Sequence, residues 1–232
     1  MSIHTTISEN DEWIHSSYFF LEERPPAEII LKTLRKYVKF KAEVIVDGKS
    51  HLFTERFSTI NSMKKITPLE DKDFKTYTIE EIFFVQGTKA TDAKFFKTAG
   101  EVPRVCCSSL YNGIDGFYTV ASTEEGSVIT VESAVRGEVH YQPISFATSG
   151  HIIKLNLKNR EMNVYSGLFL YAIISYYLGE KFSYGYKCNK KRLRSQKIML
   201  PVDIDGDVDY SYMERYVEHE ISLLSQEIIK KI

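Results

Sequence analysis

Cysteine is scarce in this chain and poorly placed for its usual structural roles. There are three, Cys106, Cys107 and Cys188, of which two are adjacent, and no C-x-x-C spacing occurs. That argues against a disulfide framework and against a zinc site, and reduced thiols fit the cytoplasm. The chain also has no apolar run long enough for a bilayer. Its most apolar stretch, 164–178, is too short and contains Ser166, Gly167 and Ser175, so it reads as a buried helix. Glu9, Asp11 and Glu12 stand where a signal peptide would be apolar. Net charge is nearly absent, at −1. The molecule is therefore not a polycation, and any polyanion site must come from local segregation of charge.

Several catalytic signatures are missing as well. No G-x-x-x-x-G-K-[ST] loop, no G-x-S-x-G elbow and no Asn-Pro-Pro-aromatic tetrapeptide of methyltransferases occurs. No two of the six histidines sit at metal-ligand spacing. The run Asp203-x-Asp205-Gly206-Asp207-x-Asp209 places its glycine too early for a calcium loop, and reads as a solvated turn that caps the next helix. No metal or cofactor is expected.

What is present is a large apolar reserve and one sharply segregated charge run. At 232 residues, 43% hydrophobic and 13% aromatic, the chain can build one sizeable core. Lys181, Lys187, Lys190, Lys191, Arg192, Arg194 and Lys197 follow one another with no acid between them. Tyr184 and Tyr186 flank Gly185 at the start of this run, and Ile198-Met199-Leu200-Pro201 closes it. Cations on a phosphate backbone with tyrosines reaching a base is one reading; a solvated basic loop beside a core strand is the other. A second polar cluster, Ser108, Ser109, Tyr111 and Asn112, precedes Gly113. Such residues can bond base edges, and they equally make an ordinary hairpin turn. Arg136-Gly137 before Tyr141-Gln142 has the same ambiguity.

Periodicity predicts an α+β fold: a compact, mainly antiparallel β module with flanking helices and a long C-terminal helix. Residues 1–10 are expected to fray, and 13–21 to form a strand or docking arm. Pro25-Pro26 opens a helix with Ile30, Leu31, Leu34 and Val38 on its apolar stripe. Residues 42–53 read as a hairpin turning at Asp47-Gly48. Residues 74–83 read as a short helix with Thr78 and Glu81 in a capping box, and 91–97 as another helical piece. Short strands are expected near 102–108, 127–131, 137–141 and 151–157, separated by Gly and Asn turns. Asn163 caps the buried helix, which stops at Gly179. From about Val208 a helix carries Met213, Val217, Ile221, Leu224, Ile228 and Ile232 on one stripe, suited to packing along another helix.

The order of these motifs resembles a known family. Phe74-Lys75-x-Tyr77-x-Ile79-x-Glu81-Ile82-Phe83 with its Gly-Thr-Lys turn is similar to the entry of a target recognition domain in restriction–modification specificity subunits. Val102-Pro103-x-Val105-x-x-Ser108-Ser109-x-x-Asn112-Gly113-Ile114-x-Gly116-Phe117 continues the pattern, as do Gly137-x-Val139-x-Tyr141-Gln142 and Lys181 to Lys187. Lys197 to Asp203, with Gly206, Asp209 and Met213-Glu214, complete it. The nearest type is the type I-like domain attached to type IIB and IIG systems. The resemblance covers roughly 71–232. It implies a domain that reads double-stranded DNA, has no catalytic centre of its own, and works with a DNA adenine methyltransferase and sometimes a nuclease.

On that reading Lys187, Lys190, Lys191, Arg192 and Arg194 hold phosphates, and Ser109, Tyr111, Asn112, Tyr184 and Tyr186 work near bases. The family's long helix spaces one recognition domain from a second. Here one domain (71–207) and one helix (208–232) are expected, leaving a homodimer through that helix open and residues 1–70 unassigned. The competing readings are a protein-interaction or antirestriction module docking on a methyltransferase through the terminal helix, and a small nuclease.

Overall fold

A computed structural model describes residues 23–52 and 66–229. The expectations for residues 1–10 and 13–21 lie outside the described residues. The architecture is α+β, with antiparallel sheets predominating and a long C-terminal helix.

The first helix, α1 (Ala27–Val46), starts after Pro26, whose extended backbone and missing N–H suit an entry point. Its fully buried side chains are Ile30, Leu34, Tyr37, Phe40 and Val44, spaced by three and four; Leu31 and Val38 are only half-buried. The expected hairpin over 42–53 is not formed. Phe40 and Val44 continue the helical stripe into the core, so the helix runs on to Val46. Asp47-Gly48 then ends it. Gly48 has φ +68°, and the Gly48 and Lys49 amides donate to the carbonyls of Ile45 and Val44. The left-handed residue that would have turned a hairpin here closes a helix.

β1 (Phe74–Thr78) pairs antiparallel with β9 (Lys197–Pro201), from Phe74 opposite Pro201 to Thr78 opposite Lys197. The capping box lies where the sequence placed it. Glu81 Oε2 accepts from the Thr78 amide (2.5 Å) and hydroxyl (2.7 Å), opening the single turn of α2 (Ile79–Ile82). The expected helix had begun five residues too early, at Phe74 rather than Ile79, because a cap at Thr78 requires extended backbone before it. The expected helical piece at 91–97 is one 3-10 turn, 93–95.

The main sheet is antiparallel, in the order β2 (Phe83–Gly87), β8 (Ile152–Leu157), β5 (Val128–Glu132), β6 (Val139–Gln142). A smaller sheet sets β3 (Ala99–Val105) between β4 (Ile114–Tyr118), antiparallel, and β7 (Ala147–Thr148), parallel. Every residue of β5 and β6 is buried.

α3 (Val164–Leu178) runs through the centre of the molecule. Asn163 Oδ1 accepts from the Ser166 amide at 2.9 Å and the Ser166 hydroxyl faces back to the Asn163 amide. Leu168 to Ile174 are all buried, as befits a helix apolar on every side. Its neighbours are α1, β6, β9 and α5 (Tyr210–Ile229). Asp209 Oδ1 caps α5 at the Tyr212 amide (2.8 Å), and Lys72 binds the other oxygen of Asp209 at 2.7 Å. Met213, Val217, Ile221 and Leu224 are buried, and Tyr216 meets Phe169 of α3 edge-on at 6.2 Å. The part of the stripe from Met213 to Leu224 thus finds its partner helix within this chain, while the side chains of Ile228 and Ile232 lie outside the described residues. A short helix, α4 (Lys190–Arg194), precedes β9.

Candidate nucleic-acid interface

The basic run is built on a small buried base. Phe182, Cys188 and Leu193 are buried at intervals along it, while Ser183, Tyr184, Lys187, Lys190, Lys191 and Arg194 are exposed. Alternation of buried anchors with exposed cations is what holds a charged loop in one conformation against a core. A tight turn, closed by mutual backbone hydrogen bonds of Ser183 and Tyr186 at 3.0 and 3.2 Å, lifts Tyr184 outward to 78% exposure. Asn189 then caps α4 by accepting from the Arg192 amide at 2.9 Å.

The cations are tied to the tyrosines. Lys187 Nζ lies 5.1 Å from the Tyr184 ring centroid, and the Arg192 guanidinium 4.0 Å from that of Tyr186. Tyr186 in turn stacks on Phe182, at 6.0 Å and 14° between planes. Arg194 turns elsewhere: Nη2 donates to the Val85 carbonyl at 3.3 Å, on the outer edge of β2, beside Glu80, Glu81 and Lys158. Lys190 Nζ lies near Gly87, at the end of the same strand. Lys181 is partly desolvated, and that burial lowers its pKa.

Beside this segment stands a loop organised by Glu132, a residue the sequence reading passed over. Its buried carboxylate accepts from the backbone amides of Ala134, Val135 (2.7 Å), Arg136 (2.8 Å) and Gly137 (3.1 Å). A carboxylate followed by small residues and a glycine is the signal that was available. Gly137 has φ +75°, and a Cβ there would meet the Phe182 ring at 2.8 Å. Only glycine lets the Glu132 loop close onto Phe182. Arg136 is exposed and lines a cleft with Lys36 and Phe182. The Cys107 thiol is pushed up to about 11, first by partial desolvation and then by the Glu132 carboxylate. The 182–188 segment therefore packs on the Glu132 loop at Gly137, and Cys107 of the 106–113 loop lies within the electrostatic reach of Glu132.

The Ser108–Asn112 cluster is brought alongside, but most of its polar groups face inward. The Ser108 hydroxyl bonds within its own turn, to the amide and carbonyl of Leu110. The Ser108 carbonyl accepts from His140 Nε2 at 2.9 Å. Tyr111 donates to Asp47 at 2.5 Å and packs edge-on against Phe40 at 5.3 Å, fastening the loop to the end of α1. Asn112, at φ 54°, is buried and donates to the Tyr141 carbonyl at 2.7 Å. Gln142 donates to the Asn112 carbonyl at 3.1 Å. Ser109 and Leu110 are left at the surface, Leu110 with 75% exposure.

Among the described residues no group of His, Cys, Asp and Glu is placed to hold a metal ion. Asp203 accepts from the amides of Asp205 and Asp207, both at 3.0 Å, and so folds the aspartate turn on itself. No described helix is long and apolar enough to cross a membrane.

Four likenesses to known proteins bear on this chain. The S subunit of the type-I restriction-modification system from M. genitalium superimposes on 88% of this chain with TM-score 0.52, covering 50% of that subunit, at 14% identity. A likeness at that identity shows a shared fold. In sequence, the chain is 30% identical over 162 residues to the type II restriction enzyme specificity subunit S.BcgI of Heyndrickxia coagulans, covering 68% of this chain and 46% of that subunit. It is also 35% identical over 51 residues, 22% of this chain and 8% of the other, to the type II restriction enzyme and methyltransferase RM.BcgI of the same organism. The chain thus spans less than half the length of either sequence relative. Residues 71–232 match the family model described as the type I restriction modification DNA specificity domain, and with that match the chain belongs to this family.

Proposed function

We propose that this chain reads a sequence in double-stranded DNA as the specificity domain of a restriction–modification assembly, and leaves the chemistry to its partners. Lys187, Lys190 and Lys191 neutralise phosphates, and residues on the adjoining loops approach the bases. The observation that carries this reading is family membership over 71–232 coinciding with an exposed cation–tyrosine segment seated on buried Phe182, Cys188 and Leu193. A methyltransferase subunit, with or without a nuclease, is the proposed partner, and S.BcgI and RM.BcgI are the relatives that support it. The apolar stripe of α5 is buried against α3, so a partner or a second copy would engage the opposite face of that helix.

Duplex binding measured across a salt series tests the reading. Affinity should fall steeply with salt, and a preference among sequences should survive at moderate salt. Replacing Lys187, Lys190 and Lys191 together by Ala should weaken binding to all duplexes alike and reduce the salt slope by about 1 for each phosphate contact removed. A triple variant with an unchanged slope removes the phosphate role.

A further inference from the structure

One arginine in the basic run differs physically from its neighbours. Lys187, Lys190, Lys191 and Arg194 are exposed, but Arg192 is half-buried and held at both backbone and side chain. Asn189 fixes its amide, and buried Leu193 anchors the next position. Its guanidinium lies over Tyr186 at 4.0 Å, while Nη1 donates to the Lys187 carbonyl at 2.8 Å. Tyr186 is itself seated on buried Phe182, and Phe182 on Gly137 of the loop that Glu132 organises. Among the described residues no carboxylate forms an ion pair with Arg192.

This chain of supports has a chemical meaning. A phosphate can be met by any mobile cation, and the same run already offers three exposed lysines, Lys187, Lys190 and Lys191. A planar fork held in one orientation loses little conformational freedom on binding and matches a planar, two-acceptor target. With Nη1 bound to the Lys187 carbonyl, the Nε–H and Nη2 edge keeps its donors. In the major groove the target for such an edge is guanine, through O6 and N7.

Resting on the DNA-reading function, we propose that Arg192 is a specificity-determining residue that reads one guanine of the target, with Tyr186 and Phe182 as its positioning residues. It is not one more phosphate contact.

The test begins by enriching duplexes from a random library with the full chain at moderate salt. Affinities for the enriched site and a scrambled duplex are then measured for wild type, R192K, R192A, Y186L and K191A, each checked for an unchanged melting temperature. R192K and R192A should lose roughly 10-fold or more on the enriched site and far less on scrambled DNA, as loss of a bidentate base contact requires. Their salt slope should stay at the wild-type value, whereas K191A should lower it by about 1. Y186L keeps the charge but removes the seat, and should lose selectivity as R192K does. Replacing one guanine of the site by 7-deazaguanine should weaken wild type and leave R192A unaffected. Equal losses on both duplexes with a reduced slope would make Arg192 a phosphate contact and overturn the inference while leaving the proposed function standing. Failure of the wild-type chain to enrich any sequence would overturn the proposed function itself.

Discussion

The 108–113 loop and the 184–192 segment look alike as sequence: each has tyrosine, polar residues and a glycine turn. In the fold they are opposites. In the first, the polar groups of Ser108, Tyr111 and Asn112 are taken by Leu110, Asp47 and Tyr141. In the second, Tyr184, Lys187, Lys190 and Lys191 stand in solvent, and Arg192 and Tyr186 meet above a buried aromatic base. The residue types that recognise DNA are also those that fasten loops to a core, because both tasks use the same donors and acceptors. Burial separates the two uses, and burial depends on elements far away in sequence.

The difference can be broken or sharpened by experiment. The largest effect should come from Glu132→Ala, which strips the acceptor from four backbone amides of one loop. A loss of about 3 kcal/mol is expected in denaturant unfolding, since a buried donor left unpaired costs about 1–3 kcal/mol, the Gly137 bond is buried and the other three are partly so. If stability were unchanged, the support of the recognition segment would have to lie elsewhere.

Next comes a pH effect confined to the first region. Burial holds the His140 pKa at about 4, against an ordinary value of 6.5. The unfolded chain therefore binds a proton that the native state refuses between those values. The associated stability is fully present above about pH 6.5 and is lost as pH falls toward 4, by at most about 3 kcal/mol. Unfolding curves of wild type and His140→Gln, compared at pH 7 and pH 4.5, check it: the variant should show a shallower decline. Equal slopes for the two proteins would remove His140 as the cause.

Asn112→Ala should cost about 2 kcal/mol through the lost bond to Tyr141, while the folded protein keeps its DNA affinity. A variant of unchanged stability with tenfold weaker DNA binding would reverse the assignment of the two regions. Arg194→Ala should have the smallest effect, under about 1 kcal/mol, because one side chain to backbone hydrogen bond at 3.3 Å is lost at an exposed edge. If it reduced the salt slope as Lys191→Ala is expected to do, Arg194 would rejoin the phosphate contacts.

Much of the molecule is encoded by local chemistry. The Thr78–Glu81 box, the Asn163 cap, the apolar helix over 164–178, the stripe of α5 and the acid-free basic run over 181–197 follow from spacing alone. They do so because a cap, a helical period and a charge run depend only on residues a few positions apart. Other features were decided by tertiary structure. Residues 74–78 became a strand because 197–201 came to pair with them, and Asp47-Gly48 ended a helix because Phe40 and Val44 carried the helical stripe into the core. Glu132, Gly137, Phe182 and Tyr186 form one support only where β5 and the basic run pack together. The difference is one of range: a hydrogen bond within one turn is written in adjacent letters, whereas the burial of Asn112 and the seating of Arg192 exist only after distant segments have met.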